Sequence, residues 1–180
     1  TAEGIASVAR RVGKQAGLAV EVFDKDAIAR LELGGLLGVN AGSVEPPRVV
    51  RMTYRPKGKS SGHLILVGKG LTYDSGGINI KPRDPMHAVM KMDMSGAGAV
   101  LAAMSALPAL GVKATVTGYL MCTDNMPSGS ATKMGDVLTQ RGGRTVEINN
   151  TDAEGRLALA DGLVLAVEQK PDAVVNIGTL

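Results

Sequence analysis

Apolar and polar positions alternate along the chain in segments of helical and of strand character. Ile5, Val8, Val12 and Ala16 recur near helical spacing, which predicts an amphipathic helix over residues 1–18. Short runs rich in apolar and β-branched residues predict strands instead. The predicted strands cover residues 19–23, 48–54, 63–67, 112–121 and 173–177.

Helices and loops are predicted between these strands. Asp24 is placed to cap a short helix, and Pro108 is expected to end a long one. The predicted helices after the first cover residues 24–30, 90–107 and 155–168. Clusters of glycine and polar residues predict loops over 34–47, 69–82 and 124–134. A hairpin over 137–148 is predicted to turn at Gly142 and Gly143.

Strands that alternate with helices predict an α/β fold. We expect a mixed, mostly parallel sheet with helices on both faces, which is an αβα sandwich. In such sheets, ligands bind outside the carboxyl ends of the strands. The last predicted strand ends close to Leu180 with no crossover after it, so the fold is expected to be truncated. Residues 1–180 are interpreted as a piece of a longer protein.

The composition argues against several classes of function. A hydrophobic content of 44% supports a globular core, and Lys and Arg exceed Asp and Glu by only three charges. Because aromatic residues are scarce and no basic run occurs, nucleic-acid binding by this segment is not expected. The single cysteine, Cys122, fits a reducing compartment, here the cytoplasm. No signal peptide or membrane span is evident, so no membrane partner is expected.

The segment 150–156 combines Asp152, Glu154 and Arg156 where a polar strand end becomes an apolar helix. Two acids two positions apart repel each other unless a cation lies between them, so a divalent metal ion explains the pair. The alternative is a helix N-terminus whose dipole the two acids stabilise. A second cluster elsewhere in the chain favours the metal.

That second cluster lies in the segment 67–82, directly after an apolar strand. It holds Lys69, Asp74 and Lys81 among many glycines, and Asp93 follows. Glycine at this density lets a loop wrap closely around a ligand or an ion. The alternative is an ordinary strand-to-helix connection with solvated charges. A phosphate-binding loop is rejected, because the glycine–lysine spacing is one residue too long and the Ser or Thr that would bind Mg²⁺ is missing.

Four carboxylates in one place would repel one another strongly without cations. Two divalent ions would neutralise them and hold a hydrolytic water between them. His63 and His87 lie outside the known histidine metal motifs. The site therefore favours Mn²⁺ or Mg²⁺, or Zn²⁺ if a nitrogen ligand is present. The four carboxylates are those of Asp74, Asp93, Asp152 and Glu154.

The basic residues of the two clusters need separate roles. A lysine beside two metal ions is pushed toward its neutral amine, because desolvation and positive charge both lower its pKa, so Lys69 could be a ligand. Lys81 could stay charged and stabilise an oxyanion. Arg156, at a helix N-terminus, offers a place for a small anion or a substrate carboxylate.

Several of these segments closely resemble the leucyl aminopeptidase (cytosol aminopeptidase) family. They are residues 67–82, 90–97 and 150–157, the last of which matches the signature NTDAEGRL. The likeness extends over nearly the whole chain and includes residues 135–137 and 145–147. Two positions depart from the family pattern, with Tyr73 in place of Phe and Ser95 in place of Gly, and the stretch 81–93 is one residue longer than expected.

The resemblance implies an activity and an assembly. Residues 1–180 would be the first part of the family's C-terminal catalytic domain, without the N-terminal domain and the remainder of the catalytic domain. Family members use two metal ions to remove N-terminal residues, preferably leucine-like ones, from peptides. They usually assemble as hexamers. Such a piece alone is expected to be inactive.

The resemblance also implies roles for individual residues. The tighter metal ion would be held by Lys69, Asp74, Asp93 and Glu154. The more exchangeable ion would be held by Asp74, Asp152 and Glu154. Lys81 would polarise the scissile carbonyl, and Arg156 would hold a bicarbonate that accepts a proton from the bridging water. The positions near the substrate would be Met90, Asn150, Thr179 and Leu180.

Two other functions stay open. The chain could be a non-catalytic binding or assembly module, or a regulator with a vestigial site, since some family members also regulate through DNA binding. It could also belong to another two-metal hydrolase, such as a phosphoesterase.

Overall fold

The computed structural model describes residues 1–180, which form helices and strands in alternation. The helices are α1 (Ala2–Ala16), α2 (Lys25–Arg30), α3 (Gly34–Asn40), α4 (Pro85–Ala88), α5 (Ser95–Leu110) and α6 (Glu154–Val167), with a 3₁₀ turn at Met90–Met92. The strands are β1 (Ala19–Phe23), β2 (Arg48–Tyr54), β3 (His63–Asp74), β4 (Thr115–Asn125), β5 (Val137–Thr139), β6 (Thr145–Glu147) and β7 (Ala173–Ile177).

Five of the strands form the central sheet, in the order β1-β2-β4-β3-β7. Strand β3 pairs in parallel with β4 and with β7, whereas β2 pairs antiparallel with β4 and with β1. Four of the five strands therefore run in one direction and β2 runs against them. The prediction of a mixed, mostly parallel sheet is confirmed. Strands β5 and β6 form a separate hairpin that turns at Gly142 and Gly143, as predicted.

Helices cover both faces of the central sheet. On one face, α1 and α5 pack against Val50, Met52 and Leu120. On the other face, α2, α3 and α6 pack against Val49 and Met121. Successive residues of a strand point to opposite faces, and both faces of β2 and β4 are buried here. This arrangement confirms the αβα sandwich.

Helix α3 corrects the prediction of a loop over 34–47. Its three glycines have a low helix propensity, which hid the helix in the sequence. Tertiary contacts compensate for that propensity: Leu36 N donates to Asp161 Oδ2 at 2.9 Å, and a Cβ on Gly35 would lie 2.6 Å from the carbonyl oxygen of Leu157. The glycine lets α3 approach α6 closely, so packing decides the conformation of this segment.

Four predicted boundaries also change. Strand β3 continues to Asp74 because it keeps pairing with β4, whose end extends to Asn125. The long predicted helix begins only at Ser95, after the 3₁₀ turn. Pro108 lies inside the last turn of that helix and does not end it. The end is set by Gly111, whose positive φ of 59° and N–H bond to Leu107 are typical of a helix C-terminus.

The helical stretch Met90–Leu110 is long and apolar enough to cross a membrane by length and composition alone. Core helices of soluble proteins pass the same test. In the structure, Ala97, Val100 and Met104 of this stretch are buried in the core cluster beside the sheet. The absence of a membrane partner stays a prediction.

Candidate metal centre

The predicted site residues come together from three parts of the chain. Lys69 and Asp74 belong to β3, Asp93 lies between the 3₁₀ turn and α5, and Asp152 and Glu154 lie at the start of α6. The polar strand predicted before the last two residues is β6 of the hairpin, which is not part of the central sheet. They nevertheless meet the end of β3, because α6 packs directly against that strand.

Glycines make the close approach of these elements possible. A Cβ on Gly155 would lie 2.6 Å from Cε and 2.7 Å from Nζ of Lys69. Only a residue without a side chain therefore lets the lysine pass the first turn of α6. At Gly76 the backbone has a φ of 89°, which favours glycine, and the turn brings the Gly76 N–H to 2.9 Å from Asp74 Oδ1.

Two lysines link the four carboxylates in pairs. Lys69 Nζ lies 2.9 Å from Asp93 Oδ1 and 2.9 Å from Glu154 Oε1. Lys81 Nζ lies 2.8 Å from Asp74 Oδ2 and 2.6 Å from Asp152 Oδ1. Oxygen atoms of Asp74, Asp152 and Glu154 also lie within 4.8 Å of one another. The structure thus brings together both predicted lysines and all four predicted carboxylates.

The centre is electrostatically unusual because most of it is buried. Burial raises the pKa of Glu154, and the negative charge of Asp74 raises it further, while Lys69 lowers it. Burial also raises the pKa of Asp93, against the hydrogen bonds from Thr179 and Lys69. Burial is thus the main cause of both raised pKa values, and the neighbouring carboxylate of Asp74 adds to each.

Lys69 lies between two carboxylates, which affect its pKa. Burial lowers the pKa of Lys69, but Glu154 and Asp93 raise it by more, so the pKa lies above its ordinary value. The prediction of a lowered pKa concerned a lysine beside two metal ions. With carboxylates as its neighbours, Lys69 is held as an ammonium.

A cation fits this set of donors. Four carboxylates face two ammonium groups, so negative groups exceed positive ones by two. Asp93 Oδ2 and Glu154 Oε2 are buried without a hydrogen-bond partner. Buried polar atoms without partners are rare in folded proteins, and carboxylate oxygens are preferred ligands of hard divalent ions. The residues present therefore fit a divalent metal.

Helix capping does not explain Asp152 and Glu154. The residue at the N-cap of α6 is Ala153, and no side chain caps the helix. Glu154 is only 2% exposed, and Asp152 is ion-paired with Lys81. The capping alternative therefore leaves the burial of Glu154 and its unpartnered oxygen unexplained.

A cleft of about 440 Å³ opens over the carboxylates and contains most of the predicted substrate positions. Met90, Thr179 and Leu180 line it, together with Arg156. The Thr179 hydroxyl donates to Asp93 Oδ1, and its carbonyl oxygen accepts from Lys69 Nζ. Asn150 does not line the cleft; its side chain accepts a hydrogen bond from Asp152 N at 2.8 Å.

Arg156 lies exposed in the first turn of α6, at the rim of the cleft. No side chain of the N-cap residue accepts from the first backbone N–H groups of this helix. Free N–H groups and a positive helix end favour an anion. This arrangement is compatible with the predicted anion position.

The sequence analysis missed three polar residues that connect the halves of the centre. Asn125 Nδ2 donates to Asp74 Oδ1 at 2.9 Å and to the Thr151 carbonyl at 3.0 Å. Asn79 Oδ1 accepts from Thr151 N at 2.7 Å, and the Thr151 hydroxyl donates to the carbonyl of Gly76 at 2.7 Å. The one available signal was the position of Asn125 after an apolar strand, beside the strand that ends at Asp74.

Fold and site together define an α/β protein with a lysine–carboxylate centre at one edge of its sheet. The chain belongs to the cytosol aminopeptidase family, whose catalytic-domain model matches residues 1–180. It is 52% identical over 181 residues to a protein of Chlorobaculum tepidum named "Probable cytosol aminopeptidase", and covers 36% of that relative. A relative of the same name from Leifsonia xyli is 54% identical over 163 residues, with 91% of this chain and 32% of the relative covered.

Solved structures agree with this assignment. The structure of the bottromycin maturation enzyme BotP in complex with Mn has a TM-score of 0.94 at 45% identity, with 100% of this chain and 39% of BotP covered. The apo structure of leucyl aminopeptidase from Trypanosoma cruzi has a TM-score of 0.95 at 38% identity and is covered to 36%. The chain thus spans about a third of the length of the relatives that it matches.

Proposed function

We propose that the protein containing this chain is a two-metal aminopeptidase that hydrolyses N-terminal residues, leucine-like ones preferred, from peptides. Residues 1–180 would be the N-terminal portion of its catalytic domain. The observation that carries the proposal is the excess of buried carboxylate oxygens at the centre, including the unpartnered Asp93 Oδ2 and Glu154 Oε2. Family membership and the Mn complex of BotP support the same reading.

Five residues are proposed as metal ligands. One ion would be held by Lys69, Asp74, Asp93 and Glu154. A second, more exchangeable ion would be held by Asp74, Asp152 and Glu154. The grouping is supported by the contacts of Lys69 with Asp93 and Glu154, and by the close approach of the other three carboxylates. Zn²⁺ or Mn²⁺, and also Mg²⁺, match these donors.

When bound, the metal pair would lower the pKa of a water and polarise the scissile carbonyl. The residues of the chain supply the rest. Lys81 would hold a positive charge at the developing oxyanion, once released from its present contacts with Asp74 and Asp152. Arg156 and the first N–H groups of α6 would hold a bicarbonate that accepts a proton from the attacking water.

The cleft supports a peptide end as substrate. Met86, Met90 and Met92 contribute adaptable apolar side chains to the lining of the cleft, which also contains the carboxylates. An apolar N-terminal side chain would lie against the methionines, with Thr179 and Leu180 nearby. Asn150 would act by ordering the turn that carries Asp152. A homo-hexamer in the cytoplasm is proposed for the intact protein.

The test is hydrolysis by the intact protein after it has been stripped of metal and reloaded. We expect release of leucine from Leu-p-nitroanilide only with Mn²⁺ or Zn²⁺ present, and no release by Glu154→Ala. Full activity of Glu154→Ala would refute the proposal. A phosphate ester assayed in parallel tests the phosphoesterase alternative. Failure of the wild-type protein to bind two ions in a calorimetric titration would favour the non-catalytic module.

A further inference from the structure

Asn125 is a buried amide at the end of β4, in direct register with Asp74 at the end of β3. Asn125 is 5% exposed. Its Nδ2 donates two hydrogen bonds, one to Asp74 Oδ1 at 2.9 Å and one to the carbonyl oxygen of Thr151 at 3.0 Å. An amide nitrogen has two protons to donate. Both protons of Asn125 are therefore used, one on each half of the centre.

The first hydrogen bond determines which oxygen of Asp74 faces the cleft. Oδ1 accepts from Asn125 Nδ2 and also from Gly76 N, each at 2.9 Å. Asp74 Oδ2 accepts from neither of these donors and lies 2.8 Å from Lys81 Nζ. Two donors on one oxygen restrict the rotation of the carboxylate. Since both donors are neutral, they compensate little of the charge that a metal ion would neutralise.

The second hydrogen bond determines the spacing between the two halves. Thr151 directly precedes Asp152, and its carbonyl oxygen is held by the same amide that holds Asp74. The Thr151 hydroxyl also donates to the carbonyl of Gly76, which lies in the turn after Asp74. The amide thus connects the end of β3 with the turn before α6, although the two are far apart along the chain.

We propose that Asn125 is a positioning residue of the metal centre, which orients Asp74 and fixes its distance from Asp152 and Glu154. This inference rests on the proposed two-metal function. Residues that hydrogen-bond to metal ligands orient those ligands, and their loss typically lowers metal affinity by roughly 10- to 100-fold. Asn125 does not itself line the cleft, and its hydrogen bonds reach none of the proposed substrate positions, so its effect would be on the metal ions.

The experiment compares Asn125→Leu with Asn40→Leu in the intact protein. Leucine keeps the approximate shape of asparagine and removes both N–H donors. Asn40 is the matched control because it is 1% exposed and also donates twice, to the Glu45 carbonyl and to Thr123 Oγ1. None of its partners is a proposed metal ligand. The two measurements are calorimetric titration with Mn²⁺ and the rise in melting temperature on adding Mn²⁺.

Both variants are expected to melt at a lower temperature than the wild type when metal-free, because each loses two buried hydrogen bonds. Only Asn125→Leu is expected to bind Mn²⁺ roughly 10- to 100-fold more weakly. Its metal-induced rise in melting temperature shrinks accordingly, whereas that of Asn40→Leu equals the wild-type rise. Wild-type Mn²⁺ affinity in Asn125→Leu would overturn the inference.

A second variant keeps the test decisive if Asn125→Leu does not fold. The shorter side chain in Asn125→Ser has one hydroxyl proton and cannot reach both Asp74 and Thr151, so the same weakening of Mn²⁺ binding is expected. Unchanged affinity in that variant would also overturn the inference. A wild-type protein that binds no Mn²⁺ at all would instead refute the proposed function.

Discussion

Helix α6 carries two buried carboxylates, seven positions apart, that differ in their partners. Glu154 is 2% exposed and Asp161 is fully buried. Asp161 Oδ2 accepts from Leu36 N at 2.9 Å, and its Oδ1 accepts from Arg141 N at 3.0 Å. Glu154 Oε1 contacts Lys69, and Oε2 has no partner. Both oxygens of Asp161 are therefore satisfied by the fold, whereas only one oxygen of Glu154 is.

Burial alone does not distinguish the two residues. It raises the pKa of both carboxyl groups and is the largest influence on each. The second influence separates them: the charge of Asp74 raises the pKa of Glu154 further, whereas the N–H of Leu36 lowers that of Asp161. A buried acid with backbone donors is structural. A buried acid beside other acids, with an unpartnered oxygen, is a candidate ligand for a cation.

The largest expected effect is on metal affinity, in a matched pair of carboxyl-to-amide changes. Glu154→Gln is expected to weaken Mn²⁺ binding by more than the roughly 100-fold upper range seen when only a ligand's supporting residue is lost. Asp161→Asn is expected to bind Mn²⁺ like the wild type, because Asp161 touches no proposed ligand. Calorimetric titration measures both. Equal losses in the two variants would contradict the distinction between the residues.

The second effect is on stability, where the change at Asp161 is expected to cost more than the change at Glu154. Asp161→Ala leaves the N–H groups of Leu36 and Arg141 buried without acceptors, which is expected to lower the free energy of unfolding by about 2 to 4 kcal/mol. Metal-free Glu154→Gln removes a charge from a centre with excess negative charge, so its stability should change less. Urea unfolding of both metal-free variants provides the comparison. A larger loss of unfolding free energy in Glu154→Gln would contradict the assignment of Asp161, and not Glu154, as the structural acid.

Removing the metal is expected to destabilise the protein by an amount that depends on the free ion concentration. At a free Mn²⁺ concentration of 100 times the dissociation constant, each occupied site adds about 2.7 kcal/mol. Chelation should therefore lower the melting temperature of the wild type and of Asp161→Asn. The melting temperature of Glu154→Gln should barely respond. A chelator that leaves the wild type unaffected would show that no ion stabilises the centre.

The smallest effect is a pH dependence. Because the pKa of Asp161 is raised above its ordinary value of 3.8, the native state binds more protons than the unfolded state just above that pH. The proton on this group contributes its whole stabilisation below pH 3.8, and this contribution is lost as the pH rises through the native pKa. The difference in unfolding free energy between the wild type and Asp161→Asn should fall in the same direction. A difference that rises with pH would contradict the cited shift.

Much of the fold follows from local patterns in the sequence. The period of apolar residues predicts α1, α6, β1, β2 and β7 with small boundary errors. Helix α3 could not be found this way, because Gly34, Gly35 and Gly38 disfavour a helix and its contacts come from Asp161, 125 positions away from Leu36. Such a helix depends on packing, which a local pattern does not contain.

The site likewise contains residues that the sequence predicts and one that it does not. Acids and lysines in glycine-rich segments are conspicuous, so Lys69, Asp74 and Glu154 could be predicted. Asn125 was missed, because its one signal, a position after an apolar strand, does not by itself predict a contact with Asp74. Its partner Asp74 is 51 positions away, and only the pairing of β3 with β4 brings them together.

The most direct test of the central claim is anomalous diffraction near the manganese absorption edge, from crystals of the intact protein soaked in Mn²⁺. Two peaks roughly 3.5 to 4 Å apart are expected among the carboxylates of Asp74, Asp93, Asp152 and Glu154. No peak is expected at Asp161. An empty centre with its side chains in place would contradict the account.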